Sequence, residues 1–222
     1  MENLSLIENE AQKNQKIAQH EKELAQKLKI NAIAEIKKAK ARENLLKIEY
    51  ELADIKKDLA EKRNVLAKEK KEIKESHILD FSDEELRIEN EYAIYNEKLA
   101  KNQKEIAEIN KKIASVEKQI AEQKLKLVKE KMDVAKAREK LANMQYIYIK
   151  VIRAKASEDK ILKVKNKSKN QKDELLKQKN DVLEKEKDIK RKENKLADLK
   201  RDLSFKFSDR EKIRHPGVIV SG

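Results

Sequence analysis

The chain has no cysteine and no tryptophan, and only two glycines and one proline among 222 residues. Without cysteine there is no disulfide framework, no thiolate metal site and no cysteine nucleophile. A compact globular domain needs turns, and ordinary usage would supply about 7% glycine and 5% proline. Aromatic residues at 4% cannot fill a thick core. No apolar run approaches the roughly 18 to 20 residues that cross a bilayer. Residues 1–19 are acidic and amide-rich and lack the basic start and apolar stretch of a secretory signal. A cytoplasmic protein is therefore expected, although one exported without a leader would look the same.

What is present is charge and helical period. Charged residues make up 44% of the chain, with a formal net charge of +13. A composition dominated by Ala, Glu, Lys, Leu and Arg is that of long helices and coiled coils. The predicted fold is all-α: an elongated coiled coil, chiefly a long antiparallel hairpin of helices over about 4–75 and 82–155. A third helix over about 157–213 and a short extended tail follow. As domains, this reads as a coiled-coil hairpin (1–155), a basic third helix (156–214) and a tail (215–222).

The second helix has the clearest start. In Phe81-Ser82-Asp83-Glu84-Glu85-Leu86, Ser82 and Glu85 are spaced for a capping box, with Phe81 and Leu86 at the staple positions. Asp83 and Glu84 add negative charge at the positive end of the helix dipole. From there a heptad runs without a slip. The predicted seam is Tyr92, Tyr95, Leu99, Ile106, Ile109, Ile113, Val116, Ile120, Leu127, Val134, Leu141, Met144, Tyr148 and Val151. Asn102, Gln123 and Glu130 are polar members of the same seam, either fixing its register or merely tolerated.

The first helix reads in two registers. Leu45, Leu52, Leu59, Leu66 and Ile73 take position a, with Ile48 and Ile55 at d, and Lys62 and Glu69 interrupt the d row. Upstream, Leu4, Ile7, Ala11, Ala18, Ala25, Leu28 and Ala32 follow a register one residue out of step, so a discontinuity is expected between 32 and 41. The six residues 76–81 suit a helix–helix connection, which typically takes about 2–8. Two arms of nearly equal length around one short turn argue for a hairpin whose tip is plugged by Ile78, Leu79 and Phe81. The competing arrangement is one straight rod that dimerises in parallel, but such a rod has no need of a capping box in its middle.

The third helix, expected to start at Ser157, carries one mainly apolar row: Ile161, Ser168, Leu175, Val182, Ile189, Leu196 and Leu203. Its other row is mostly polar, so it can lie in a groove but cannot supply a third of a core. It also holds most of the charge imbalance. Residues 1–75 carry 18 bases against 15 acids and residues 82–155 carry 17 against 13, whereas residues 156–222 carry 20 against 13. Lys163, Lys165, Lys167, Lys169 and Lys172 form a tract with no intervening acid, a candidate contact for nucleic acid or an anionic membrane. It has no arginine and no aromatic ring for base stacking, and alternate lysines spread around a helix.

Met144 to Ile152 is apolar on every face, so Tyr146, Ile147, Tyr148, Ile149 and Ile152 are a candidate docking patch or a structural junction. His20, His77 and His215 stand alone, without metal-ligand spacing. There is no glycine-rich phosphate loop, and a helical rod offers no dry cleft in which to shift a carboxylate. No catalytic residue, cofactor, metal or small-molecule substrate is therefore expected. The predicted function is a non-enzymatic scaffold that spaces or assembles other protein subunits and itself as a homo-oligomer.

Two resemblances accompany this reading. Ile213-Arg214-His215-Pro216-Gly217-Val218-Ile219-Val220 resembles the strand that follows the helical hairpin in periplasmic membrane-fusion adaptors, with His215 in place of the family's alanine and no residues between Pro216 and Gly217. It spans eight residues and lacks the matching strand ahead of the first helix, so no function is carried over from it. The architecture is also similar to that of the basic coiled-coil stalk proteins of flagellar and type III export machines. That likeness implies docking on an export apparatus.

Overall fold

The computed structural model describes residues 4–76 and 82–216. Three helices account for nearly all of them: α1 (Leu4–Glu75), α2 (Asp83–Arg153) and α3 (Glu158–Glu211). The fold is an all-α helical hairpin with a third helix. The hairpin tip (Ile78, Leu79, Phe81) and the extended segment 218–220 lie outside the described residues.

Two compact units divide the chain, each drawing on all three helices. One comprises Met1–Lys37 and Gln119–Glu193, the other Lys38–Lys118 and Asn194–Gly222. In both, α1 and α2 run antiparallel. In the first unit Asn14 bonds Gln145, Glu21 pairs with Arg138, Lys22 with Glu139 and Glu8 with Arg153. In the second, Arg42 pairs with Glu117, Glu43 with Lys118 and Lys70 with Glu89. In every one of these pairs the two residue numbers add to about 160.

That register identifies the face on which α1 and α2 meet. On α1 the buried residues Ala11, Ala18, Ala25 and Ala32 recur every seven positions, as do Leu46, Ala53, Ala60 and Ala67. On α2 they are Ala93, Ala100, Ala107, Ala114, Ala121, Val128, Ala135, Ala142 and Ile149. The two series match layer for layer: 11 lies level with 149, 32 with 128, 46 with 114 and 67 with 93. Where one helix has a larger side chain, at Leu46, Val128 or Ile149, its partner has alanine. Alanine is the best helix former and lets two backbones approach at the short end of the usual interaxial range of about 8–10 Å.

This corrects the register expected for α1. Leu45, Leu52, Leu59 and Leu66, with Ile48 and Ile55, are not in the hairpin seam; they are 48 to 65% exposed. The step expected between 32 and 41 is absent from the buried row, since Leu46 lies fourteen positions beyond Ala32. It appears only in the companion row, where half-buried Leu28 is followed eight residues later by half-buried Ile36.

The heptad seam of α2 lies beside its alanine row, and at Val134, Ala137 and Leu141 it packs on α3. In the first unit Val134, Ala137, Leu141 and Leu175 form a buried cluster with Val182 against it. Lys185 reaches Glu130 at 3.0 Å and Lys131 reaches Glu186 at 2.7 Å. In the second unit Lys206 pairs with Glu105 at 2.7 Å, and its carbonyl accepts from Asn102 Nδ2 at 3.1 Å. Thus α3 is antiparallel to α2, and Asn102 through its Nδ2 and Glu130 through one carboxylate oxygen bond to it. Buried side-chain oxygens without a partner among the described residues occur on all three helices: Asn64 on α1, Asn90, Asn102, Gln123 and Glu130 on α2, and Gln178 on α3.

The turn from α2 to α3 is built without glycine. Ala156 N–H donates to the Val151 carbonyl (3.2 Å) and Lys155 N–H to that of Ile152 (3.0 Å), the bond pair of a Schellman cap. Lys155 takes the left-handed position, with φ 48°. Ser157 then caps α3, its carbonyl accepting from Lys160 and Ile161 (both 3.0 Å). At the start of α2, Ser82 accepts the first helical bond from Leu86 at 3.1 Å through its carbonyl. The side-chain exchange with Glu85 expected of a capping box is not among the hydrogen bonds of the described residues.

Candidate functional site

Of the predicted seam, Ile106, Ile113, Val116, Ile120, Val134, Leu141, Tyr148 and Val151 are buried. Tyr95, Leu99, Ile109, Leu127 and Met144 are half-buried, and Tyr92 is exposed. Tyr92 and Tyr95 instead flank His215, with ring centroids 5.2 and 5.0 Å away in edge-on geometry. The chain four residues beyond the end of α3 is thereby held against α2 within the second unit.

Within the candidate docking patch, Tyr148 and Ile149 are buried, Tyr146 and Ile152 half-buried, and only Ile147 exposed. Ile149 is the last member of the α2 alanine row and fills the layer of Ala11. The all-round apolar character of this segment is therefore spent mainly on covering two neighbouring helices. The lysine tract is disposed differently: Lys163, Lys165, Lys167, Lys169 and Lys172 are all exposed on α3.

Polar clamps flank the alanine rows. In the first unit Arg138 donates both Nε and Nη2 to the Glu21 carboxylate, at 3.0 and 2.9 Å. Such two-point pairing holds geometry as well as charge. In the second unit Glu117 bridges Arg42 of α1 at 2.9 Å and Lys200 of α3 at 3.9 Å. Asn64 and Lys101 both donate to Glu97, and these two bonds, Lys101 first, hold its carboxyl below the usual range. Asp54 is lowered likewise, first by its hydrogen bond from Lys104.

No family model, curated protein or solved structure matches this chain.

The first unit also carries concave features. An open groove of about 330 Å³ is lined by Leu24, Leu28, Val134, Val182 and Leu183 with the stems of charged neighbours. A polar hollow lies over Glu130, Glu174 and Lys185. Among the described residues no group of three His, Cys, Asp or Glu side chains could hold a metal. Nor is any helix there long and apolar enough to cross a membrane.

The most prominent exposed feature is one that the sequence placed inside the hairpin. In the second unit Leu45, Ile48, Leu52, Ile55 and Leu59 form a continuous apolar stripe on α1, while Leu46, Ala53 and Ala60 of the same turns are buried. The sequence signal was a double one. Two rows at heptad spacing run side by side, and the row of smaller residues is the buried one.

Proposed function

We propose that the chain is a non-enzymatic structural protein of the cytoplasm that assembles or spaces protein subunits through helix–helix contacts. The observation that carries this reading is the open stripe Leu45–Leu59 on a helix whose neighbouring face is already occupied. Contiguous apolar surface on a soluble chain marks a place of protein contact. Immobilised full-length chain, with Leu52→Glu/Ile55→Glu as control, should retain a stoichiometric protein partner or itself. A chain that stays single and retains no protein through this face sinks the reading.

A second reading, polyanion binding through residues 156–214, is favoured by the exposure of all five lysines of the tract. It requires association with duplex DNA, RNA or anionic vesicles that weakens steeply with salt. Affinity that is flat in salt excludes it.

A further inference from the structure

We propose that the open stripe of α1 is covered by the same stripe of a second copy, running parallel to it. The inference rests on the assembly reading above and names its partner.

The heptad places Leu45, Leu52 and Leu59 at a and Ile48 and Ile55 at d, the two seam positions of a coiled coil. All five are exposed in the single chain, and the helix that carries them is already held by α2. Pairing two such stripes therefore requires no helix to be formed. That removes the ordering cost that defeats short coiled coils. Specific interfaces bury roughly 1,000 Å² or more in total. Five large side chains, each about half exposed, on each of two copies supply area of that order, together with the stems of their charged neighbours.

The flanking charges decide the direction. The g positions beside the stripe are Asn44, Glu51 and Asp58, and the e positions are Glu49, Lys56 and Arg63, with Glu49 facing only the neutral Asn44 in a parallel pair. In a parallel pair, each g residue faces the e residue five positions on in the other copy. Glu51 then meets Lys56 and Asp58 meets Arg63, each twice by symmetry. In an antiparallel pair g faces g and e faces e, so Glu51 would meet Asp58, acid against acid, offsetting the contact of Glu49 with Lys56. The four residues paired in the parallel arrangement set acid against base throughout. All four side chains are exposed. Glu51, Lys56 and Arg63 have no ion pair among the described residues, and Asp58 has only Lys57 at 3.9 Å. Lys62, the next d residue, would face its own copy, so it closes the seam after Leu59.

The test uses the full chain, in sedimentation equilibrium from about 1 to 100 μM. The wild type should show a multiple of the 26.0 kDa chain mass. Leu52→Glu/Ile55→Glu should give the single-chain mass with unchanged helicity, because both side chains are exposed before association. Glu51→Lys or Lys56→Glu alone should weaken association by roughly 2- to 10-fold, and the two together should restore it. Because the chain has no cysteine, Ile48→Cys gives a unique thiol, which in a parallel pair faces itself and should cross-link under oxidation. A wild type of single-chain mass throughout overturns the proposal. So does association that survives Leu52→Glu/Ile55→Glu, or an associated Ile48→Cys chain that does not cross-link. A single chain that binds a different protein through the stripe overturns the second copy but leaves the assembly reading standing.

Discussion

Asn14 Nδ2 donates to Gln145 Oε1 over 3.2 Å, and both side chains are buried between the alanine rows of α1 and α2. The Gln145 oxygen is thereby satisfied by Asn14, whose own Oδ1 accepts from Arg138 Nη1 at 3.5 Å. Asn14→Ala should cost about 1–3 kcal/mol, because it leaves the Gln145 amide buried and unpaired. Asn14→Ala/Gln145→Ala should cost less than the two single changes combined. Urea unfolding of the four proteins measures the coupling; strict additivity would mean the bond contributes nothing.

Leu46 and Ala114 share a layer, and both are buried. Leu46→Ala should destabilise by about 2–4 kcal/mol through lost burial and a cavity. Ala114→Leu should destabilise by about 1–3 kcal/mol by forcing the helices apart. The double exchange keeps the layer's volume and should recover much of the loss. Thermal melts followed by circular dichroism check this, and a double exchange as damaging as the two changes summed would show that the layer is assigned wrongly.

Lys155 occupies the left-handed region at the end of α2 with its side chain exposed. A residue with a Cβ is strained there and glycine is not. Lys155→Gly should therefore stabilise the chain by about 0.5–1 kcal/mol, whereas glycine one turn earlier, at Lys150→Gly, should destabilise it by about 1 kcal/mol. Melting temperatures should move in opposite directions for the two.

Carboxylates whose folded pKa is depressed add stability above their unfolded pKa and lose it as pH falls through the folded one. Glu97 and Asp54 are in this class, lowered first by hydrogen bonds from Lys101 and Lys104 respectively. Lys101 and Lys104 are raised in turn, first by the same bonds, so their contribution disappears only at strongly alkaline pH. Unfolding midpoints should be level between about pH 6 and 8 and decline below about 4.5. Glu97→Gln should make that decline shallower; an equally steep decline would remove Glu97 from the account.

The helices and their approximate ends were legible because periodicity and turn signals are local. Ser157 lies at the predicted start of the third helix and does cap it. The α1 interface was not legible in the same way. Large apolar residues dominate any pattern judged by hydrophobicity, so Leu45, Leu52 and Leu59 outweighed Leu46, Ala53 and Ala60. Burial reversed the ranking, because what the hairpin requires of α1 is small size opposite a matching row on α2. The same rule could have been found by asking which row of α1 matches a row of α2 layer by layer. The clamps at Glu21–Arg138 and Arg42–Glu117 were invisible beforehand, since in a chain that is 44% charged every helix offers many possible ion pairs.

Rows of nearly identical small residues act as a rail on which two helices could slide. A slip of one heptad still leaves alanine beside alanine at most layers, and even Leu46 and Val128 would find alanines, at 121 or 107 and at 39 or 25. What distinguishes the true stop is polar. Asn14 would lose Gln145 for Ile152 in one direction and for Arg138 in the other, and Lys22 would leave Glu139 for Tyr146 or Met132. In this hairpin, tightness and alignment are thus supplied by different residues: alanines set how closely the helices approach, and the sparse side-chain pairs beside them set where they halt.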